Sequence, residues 1–298
     1  MSTRGRVVAA HGRHYVVQVA PQVRLHCFTR GKKSEIACGD QVVVQETAIG
    51  QGVIDAVEPR RNVLSRSNGF RTKLLAANID AIAIVVAASP PFSEELLGRT
   101  LVAAESIEVP ARVLLNKVDL ADRIDAARAT LAPYRALGYD VVELSIKGDP
   151  ARASATLGPG FAERTTLLVG QSGMGKSSLL NLLIPDAQAA TREISEALQT
   201  GKHTTTDARL YRMPDDEGSL VDTPGFQEFG LAHLSPGTIE RAFPEIRPFI
   251  GQCRFANCTH LHEPDCAILA ARDRGAIATR RYDLFAKLTR ESATFRDR

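Results

Sequence analysis

The order of three short motifs constrains this chain more than any other feature. Gly170-Gln171-Ser172-Gly173-Met174-Gly175-Lys176-Ser177 follows a strand-like run at 165–169 and opens a helix-like run at 176–183. Asp222-Thr223-Pro224-Gly225 follows a second apolar run, at 219–221. Asn116-Lys117-Val118-Asp119 ends a buried-type run at 112–115 and precedes both. In the usual nucleotide switch the phosphate loop leads and Asn-Lys-x-Asp trails. Here the trailing part stands first, so a parallel α/β sheet can form only if the chain is circularly permuted.

Each motif has a chemical reason. Glycines at 170, 173 and 175 free the loop's N–H groups, including those of Gln171, Ser172 and Met174, to curl around phosphates. The helix N-terminus behind them adds a favourable field. Lys176 is placed to reach β- and γ-phosphate oxygens, and the Ser177 hydroxyl to ligate Mg²⁺. Asp222 is placed to hold Mg²⁺ through water, with the Gly225 N–H toward the γ-phosphate. The polar stretch 201–206 occupies the position of a first switch. Thr205 is the expected Mg²⁺ ligand there, with Thr204 as the alternative. The Asp119 carboxylate can accept both N1–H and N2–H₂ of guanine, a pairing that adenine cannot offer. Asn116 would tie this loop to the phosphate loop, the Lys117 stem would cover the base, and Ser145-Ile146-Lys147 would present a backbone N–H to guanine O6. GTP and GDP with Mg²⁺ are therefore the expected ligands. Phe226 stands where a water-orienting glutamine is common, and Gln227 lies one residue too far along. Hydrolysis should be slow until a partner completes the site. His203, the imidazole of the switch loop, is a candidate water-orienting group; it could equally contact RNA or be solvated.

Around this domain the pattern changes twice. Runs at 5–9, 14–19, 23–28, 41–46 and 52–57, separated by turn residues such as Gly12, Pro21 and Gly50, predict a small all-β barrel. An OB-type barrel fits, although periodicity does not separate it from an SH3-like one. Residues 1–75 hold twelve basic and five acidic side chains, an excess of seven in a chain whose net charge is +3. A basic barrel beside an acidic remainder suggests a polyanionic partner, or simply a solvated surface. Near the C-terminus, Cys253-x₄-Cys258-x-His260-x₅-Cys266 offers a closed tetrahedral Zn²⁺ set. Filled on all four sides, such an ion would be structural; His262 is the rival ligand. The apolar run 81–88 is too short to span a bilayer, and no apolar stretch follows the first residues. A cytoplasmic protein without membrane association is expected.

Together these motifs, with Gly201-Lys-His-Thr-Thr-Thr206 and Asp222-Thr-Pro-Gly-Phe226, resemble the bacterial ribosome small-subunit-dependent GTPase A family. The likeness runs from Gly39-Asp40-Gln41-Val42 to Cys266. It implies an N-terminal OB-type barrel (1–68), a circularly permuted P-loop GTPase domain (69–232) and a mostly helical zinc domain (233–298). It also implies late maturation of the small ribosomal subunit (30S), with ribosome-stimulated hydrolysis; contact with 16S rRNA and a monomeric state are expected. By position, residues 116–119 and 170–178, ending at Ser178, would bind GTP. Cys253, Cys258, His260 and Cys266 would bind one zinc. Met174 and Ile146 depart slightly from the family pattern. Permutation makes residues 226–231 the shortest covalent path from the γ-phosphate sensor to the zinc domain, so the nucleotide state is expected to travel along it.

Overall fold

The computed structural model describes residues 2–30, 35–67, 72–185, 187, 208–214, 218–223 and 228–296. Five strands come first: β1 (Ser2–His11), β2 (His14–Ala20), β3 (Val23–Thr29), β4 (Gln41–Ala48) and β5 (Gln51–Val57). Alternation on β3 and β4 turns Leu25, Cys27, Val42 and Val44 inward onto Tyr15 and Val17. β1 pairs antiparallel with both β2 and β4, β4 pairs with β5, and β3 pairs with β5 in parallel. The ring closes in the order 1-2-3-5-4, which is the OB arrangement and resolves what periodicity left open. Asp40, 0% exposed, fastens the closing segment. Its carboxylate accepts from Arg60 at 2.7 and 2.8 Å and from the Ala37 N–H at 2.8 Å.

A hairpin that the sequence pattern did not reveal follows: β6 (Val63–Ser67) with β7 (Thr72–Ala77). The expected division at 68/69 falls inside it. The Ala77 N–H donates to Cys38 O, and the Ser67 N–H to Gly230 O, both at 2.8 Å. The hairpin thus braces the barrel against the chain that leaves the Asp222 motif.

Six strands build the central sheet: β8 (Ala81–Ala87), β9 (Ala111–Asn116), β10 (Asp140–Glu143), β11 (Arg164–Val169), β12 (Arg209–Arg212) and β13 (Gly218–Asp222). Their spatial order is β10-β9-β8-β11-β13-β12, parallel except for β12. β8 comes early in the chain yet lies beside β11, so the sheet is continuous across the permuted seam. Near-continuous burial of β8 (Ala-Ile-Ala-Ile-Val-Val-Ala) is what a parallel strand covered on both faces requires. Helices α1 (Glu94–Ser106), α2 (Ile124–Ala136), α3 (Pro150–Phe161) and α4 (Lys176–Leu183) accompany the strands. Ser93 caps α1 by accepting from the Leu96 N–H, with Glu94 and Glu95 favourably placed in the first turn. Asp149 caps α3, with Pro150 in its first turn. Strand order reverses between β8 and β11, so a crevice opens at their C-terminal ends, where open α/β sheets bind ligands. β1 extends the same sheet by pairing Ala9 with Arg209 of β12.

Beyond β13 the described chain is helical: α5 (Pro236–Arg241), a 3₁₀ turn (Arg247–Phe249), α6 (Ala267–Asp273) and α7 (Thr279–Arg296). Phe243, Ile246 and Phe285, each 0% exposed, join one apolar cluster with Leu97 and Leu101 of α1, so this region docks on the sheet domain through a dry face. No helix among the described residues is long and apolar enough to cross a membrane.

Candidate nucleotide site and metal centre

The crevice gathers residues that are far apart in the chain. Asn116, at the end of β9, is 3% exposed and works in both directions. Its Nδ2 donates to Met174 O at 3.0 Å, and its Oδ1 accepts from the Ile146 N–H at 3.1 Å. One buried amide therefore clasps the phosphate-loop sequence to both base-side segments. Gly175 is obligatory beneath it: φ is +106° and a Cβ would fall 2.3 Å from Asn116 Nδ2. Lys117 adopts φ +63°, an uncommon conformation for a residue with a side chain. From there its Nζ donates to Ser89 O at 2.6 Å and to Gly173 O at 2.8 Å. Ser145 Oγ donates to Asp119 Oδ1 and accepts from the Gly148 N–H, which fixes the orientation of that carboxylate. Val118 is tied by its N–H to Leu144 O at 3.3 Å.

At the phosphate end, α4 starts at Lys176 directly after Gly175, with Ser177 and Ser178 in its first turn. Lys176 Nζ donates to Gly170 O at 2.6 Å and Gln171 O at 3.2 Å, and burial lowers its pKa. Asp222 closes β13. Burial pushes its carboxyl up to about 6, against the opposing pull of Lys176 and Arg209. Its Oδ1 is buried and has no hydrogen-bond partner among the described residues. An orphaned carboxylate oxygen that feels the charge of the phosphate-loop lysine fits a hard divalent cation such as Mg²⁺. His203, Thr204, Thr205, Pro224 and Gly225 lie outside the described residues, as do Phe226 and Gln227 on the expected signalling path.

The second centre is the Cys/His loop between the 3₁₀ turn and α6. One ligand atom from each of Cys253, Cys258, His260 and Cys266 lies within 4.8 Å of the others. Cys253 Sγ and Cys266 Sγ are 3.8 Å apart, and His260 Nδ1 is 3.4 Å from each. Tetrahedral Zn–S bonds of about 2.3 Å imply an S···S edge of about 3.8 Å, so the spacing suits zinc. His262 is exposed and outside the set. His260, 5% exposed at φ +61°, is held from both flanking helices. Its Nε2 lies 3.4 Å from Glu240 Oε1 of α5, and its carbonyl accepts from Tyr282 Oη of α7 at 2.9 Å. Burial opposes charge on this imidazole, but the Glu240 bond prevails and its pKa rises to about 9. Glu240 and Tyr282 carry no local sequence signal, because they reach the loop only through tertiary packing. Glu263 organises the loop itself, accepting from the Thr259 N–H and hydroxyl and from the Leu261 N–H.

Comparison with known proteins agrees with this geometry. The RsgA GTPase family model matches residues 57–232. The small ribosomal subunit biogenesis GTPase RsgA of Burkholderia pseudomallei (strain 668) is 58% identical over 291 residues, covering 97% of this chain and 92% of that protein. Its counterpart from Ralstonia pickettii (strain 12J) is 57% identical with the same coverage. Among solved structures, YjeQ from Thermotoga maritima superposes with a TM-score of 0.72 at 30% identity, covering 98% of this chain and 99% of that one. YloQ, described as a circularly permuted GTPase, gives 0.67 at 30% identity, covering 98% and 96%. A chain order permuted around a continuous sheet is thus shared with YloQ, and the chain belongs to the RsgA GTPase family.

Proposed function

We propose that this chain binds GTP and GDP and hydrolyses GTP as an assembly factor of the small ribosomal subunit, working as a cytoplasmic monomer. The observation that carries the nucleotide reading is the Asn116 clasp, which joins Met174 to Ile146 and so makes one crevice from three separated motifs. In that crevice residues 170–178 would wrap the phosphates, with Lys176 on the β- and γ-oxygens. Asp119, held by Ser145, would read guanine N1–H and N2–H₂. Mg²⁺, when bound, would neutralise charge developing on the phosphates; Ser177 and Asp222 would hold it, with Thr205 completing the set. Gly225 would face the γ-phosphate, and His203 would orient the attacking water once the partner is engaged. The basic barrel would dock on 16S rRNA through phosphate contacts. One zinc on Cys253, Cys258, His260 and Cys266 would supply the stability that a short loop cannot obtain from its own core. Residues 1–68, 69–232 and 233–298 would divide the labour, with the β6–β7 hairpin bridging the first boundary. Turnover measured alone, with small subunits and with large subunits tests the reading. Strong stimulation by small subunits only is expected, and stimulation by large subunits only would overturn it.

A further inference from the structure

We infer that the Gln171 side chain is a positioning residue that couples the phosphate loop to helix α1 and, through α1, to the Cys/His-bearing C-terminal region. The inference rests on the nucleotide reading of residues 170–178. Gln171 is half-buried, and its Oε1 accepts from the Ser93 N–H at 2.7 Å. Ser93 is the N-cap of α1: its Oγ accepts from the Leu96 N–H at 3.2 Å, and its carbonyl from the Leu97 N–H at 3.1 Å. A helix N-terminus leaves its first N–H groups without intrahelical acceptors, and here the nucleotide loop provides one of them. Lys117 ties the same junction from the side by bonding Ser89 O and Gly173 O.

The other end of the connection is equally specific. The C-terminal region grips α1 along its length by charge. Arg99, 6% exposed, is bonded to Glu95 at 2.9 Å and to Glu291 of α7 at 2.8 and 2.5 Å. Lys287 reaches Glu95 at 2.6 Å, Arg280 reaches Glu94 at 2.9 Å, and Arg247 pairs with Glu105. Between these pairs Gly98 lets α7 approach closely: a Cβ there would fall 2.4 Å from Leu284 Cδ2. α1 is therefore clamped to α7 on one face and bonded to the phosphate loop at its N-cap. A displacement of the C-terminal region would reach the loop through Gln171 without passing through 224–227. This route is additional to the covalent one expected from the permutation.

The experiment uses the full chain and two readouts, release of a fluorescent GDP and backbone hydrogen exchange of segments 88–97 and 280–292. Gln171→Leu keeps size and removes the acceptor; it should speed exchange at Ser93 and raise the GDP release rate about 3- to 10-fold, the scale of one lost hydrogen bond. Gln171→Glu keeps the acceptor and should restore slow exchange at Ser93. Glu291→Gln, on α7 against Arg99 of α1, should speed GDP release in the wild-type background and add nothing in Gln171→Leu. Independent, multiplying effects of the two changes would overturn the coupling, as would unaltered exchange at Ser93 in Gln171→Leu. A wild-type chain that does not bind GDP would refute the nucleotide reading instead. Exchange of 280–292 in Gln171→Leu would then decide the coupling alone: acceleration supports it, and no change refutes it.

Discussion

Replacing Asp222 by asparagine should stabilise the metal- and nucleotide-free protein at neutral pH while abolishing its tight response to Mg²⁺-GTP. The Asp222 carboxyl is lifted from 3.8 to about 6 by burial, and its Oδ1 has no partner among the described residues. At roughly 1.36 kcal/mol per pH unit, that interval corresponds to about 3 kcal/mol of ionisation penalty. An asparagine in the same place keeps one polar atom unsatisfied, so a net gain of about 1–2 kcal/mol is the reasonable expectation. Because the folded pKa is raised, the native state binds more protons than the unfolded chain. The penalty is absent below 3.8, grows as pH rises and is complete above about 6. Unfolding of both proteins in chelator, followed at several pH values from 4 to 8, is the assay. Asp222→Asn should fall somewhat below wild type near pH 4, where the penalty is nearly absent, and lead by roughly 2–8 °C at pH 7.5, at about 2–4 °C per kcal/mol for a domain of this size. Mg²⁺-GTP should raise the wild-type midpoint and leave the variant nearly unmoved. A variant no more stable than wild type at pH 7.5, or a gap that ignores pH, would refute the reasoning.

Three further outcomes follow from the geometry. Asp40→Ala strands Arg60 against the barrel and should lower stability by about 3–5 kcal/mol in denaturant unfolding, as expected when a buried pair loses one partner. Glu240→Gln removes the carboxylate that orients His260, so competition with a chelator should show zinc affinity reduced about 10-fold or more. Ribosome binding should weaken steeply between about 50 and 200 mM salt if phosphate contacts by the barrel dominate, and salt-insensitive binding would make the charge excess of residues 1–75 incidental.

Much of this architecture is legible in the sequence because its signals are local. The phosphate loop carries its strand, glycines and helix start within a few residues, and β3 and β4 alternate cleanly. The parts that escaped depend on distant partners. Closure of the barrel rests on the β3–β5 parallel pairing, which no local pattern encodes. In β7, Thr-Lys-Leu-Leu-Ala-Ala has helix-forming composition and becomes a strand only because β6 pairs with it and the Ala77 N–H bonds Cys38 O. α3 was hidden by Gly158-Pro159-Gly160 in its last turn. Glu240, Tyr282 and the Gln171–Ser93 bond are second partners of known motifs, set by packing between elements and silent in any window of sequence.

The central claim is that a base-reading motif placed before the phosphate loop still folds into one guanine-specific site. Binding of GDP and of xanthosine diphosphate to the wild type and to Asp119→Asn tests it most directly. Wild type should prefer GDP by about 100-fold or more, and the variant, able to donate where the aspartate could only accept, should prefer xanthosine diphosphate. Retained preference for GDP in Asp119→Asn would contradict it.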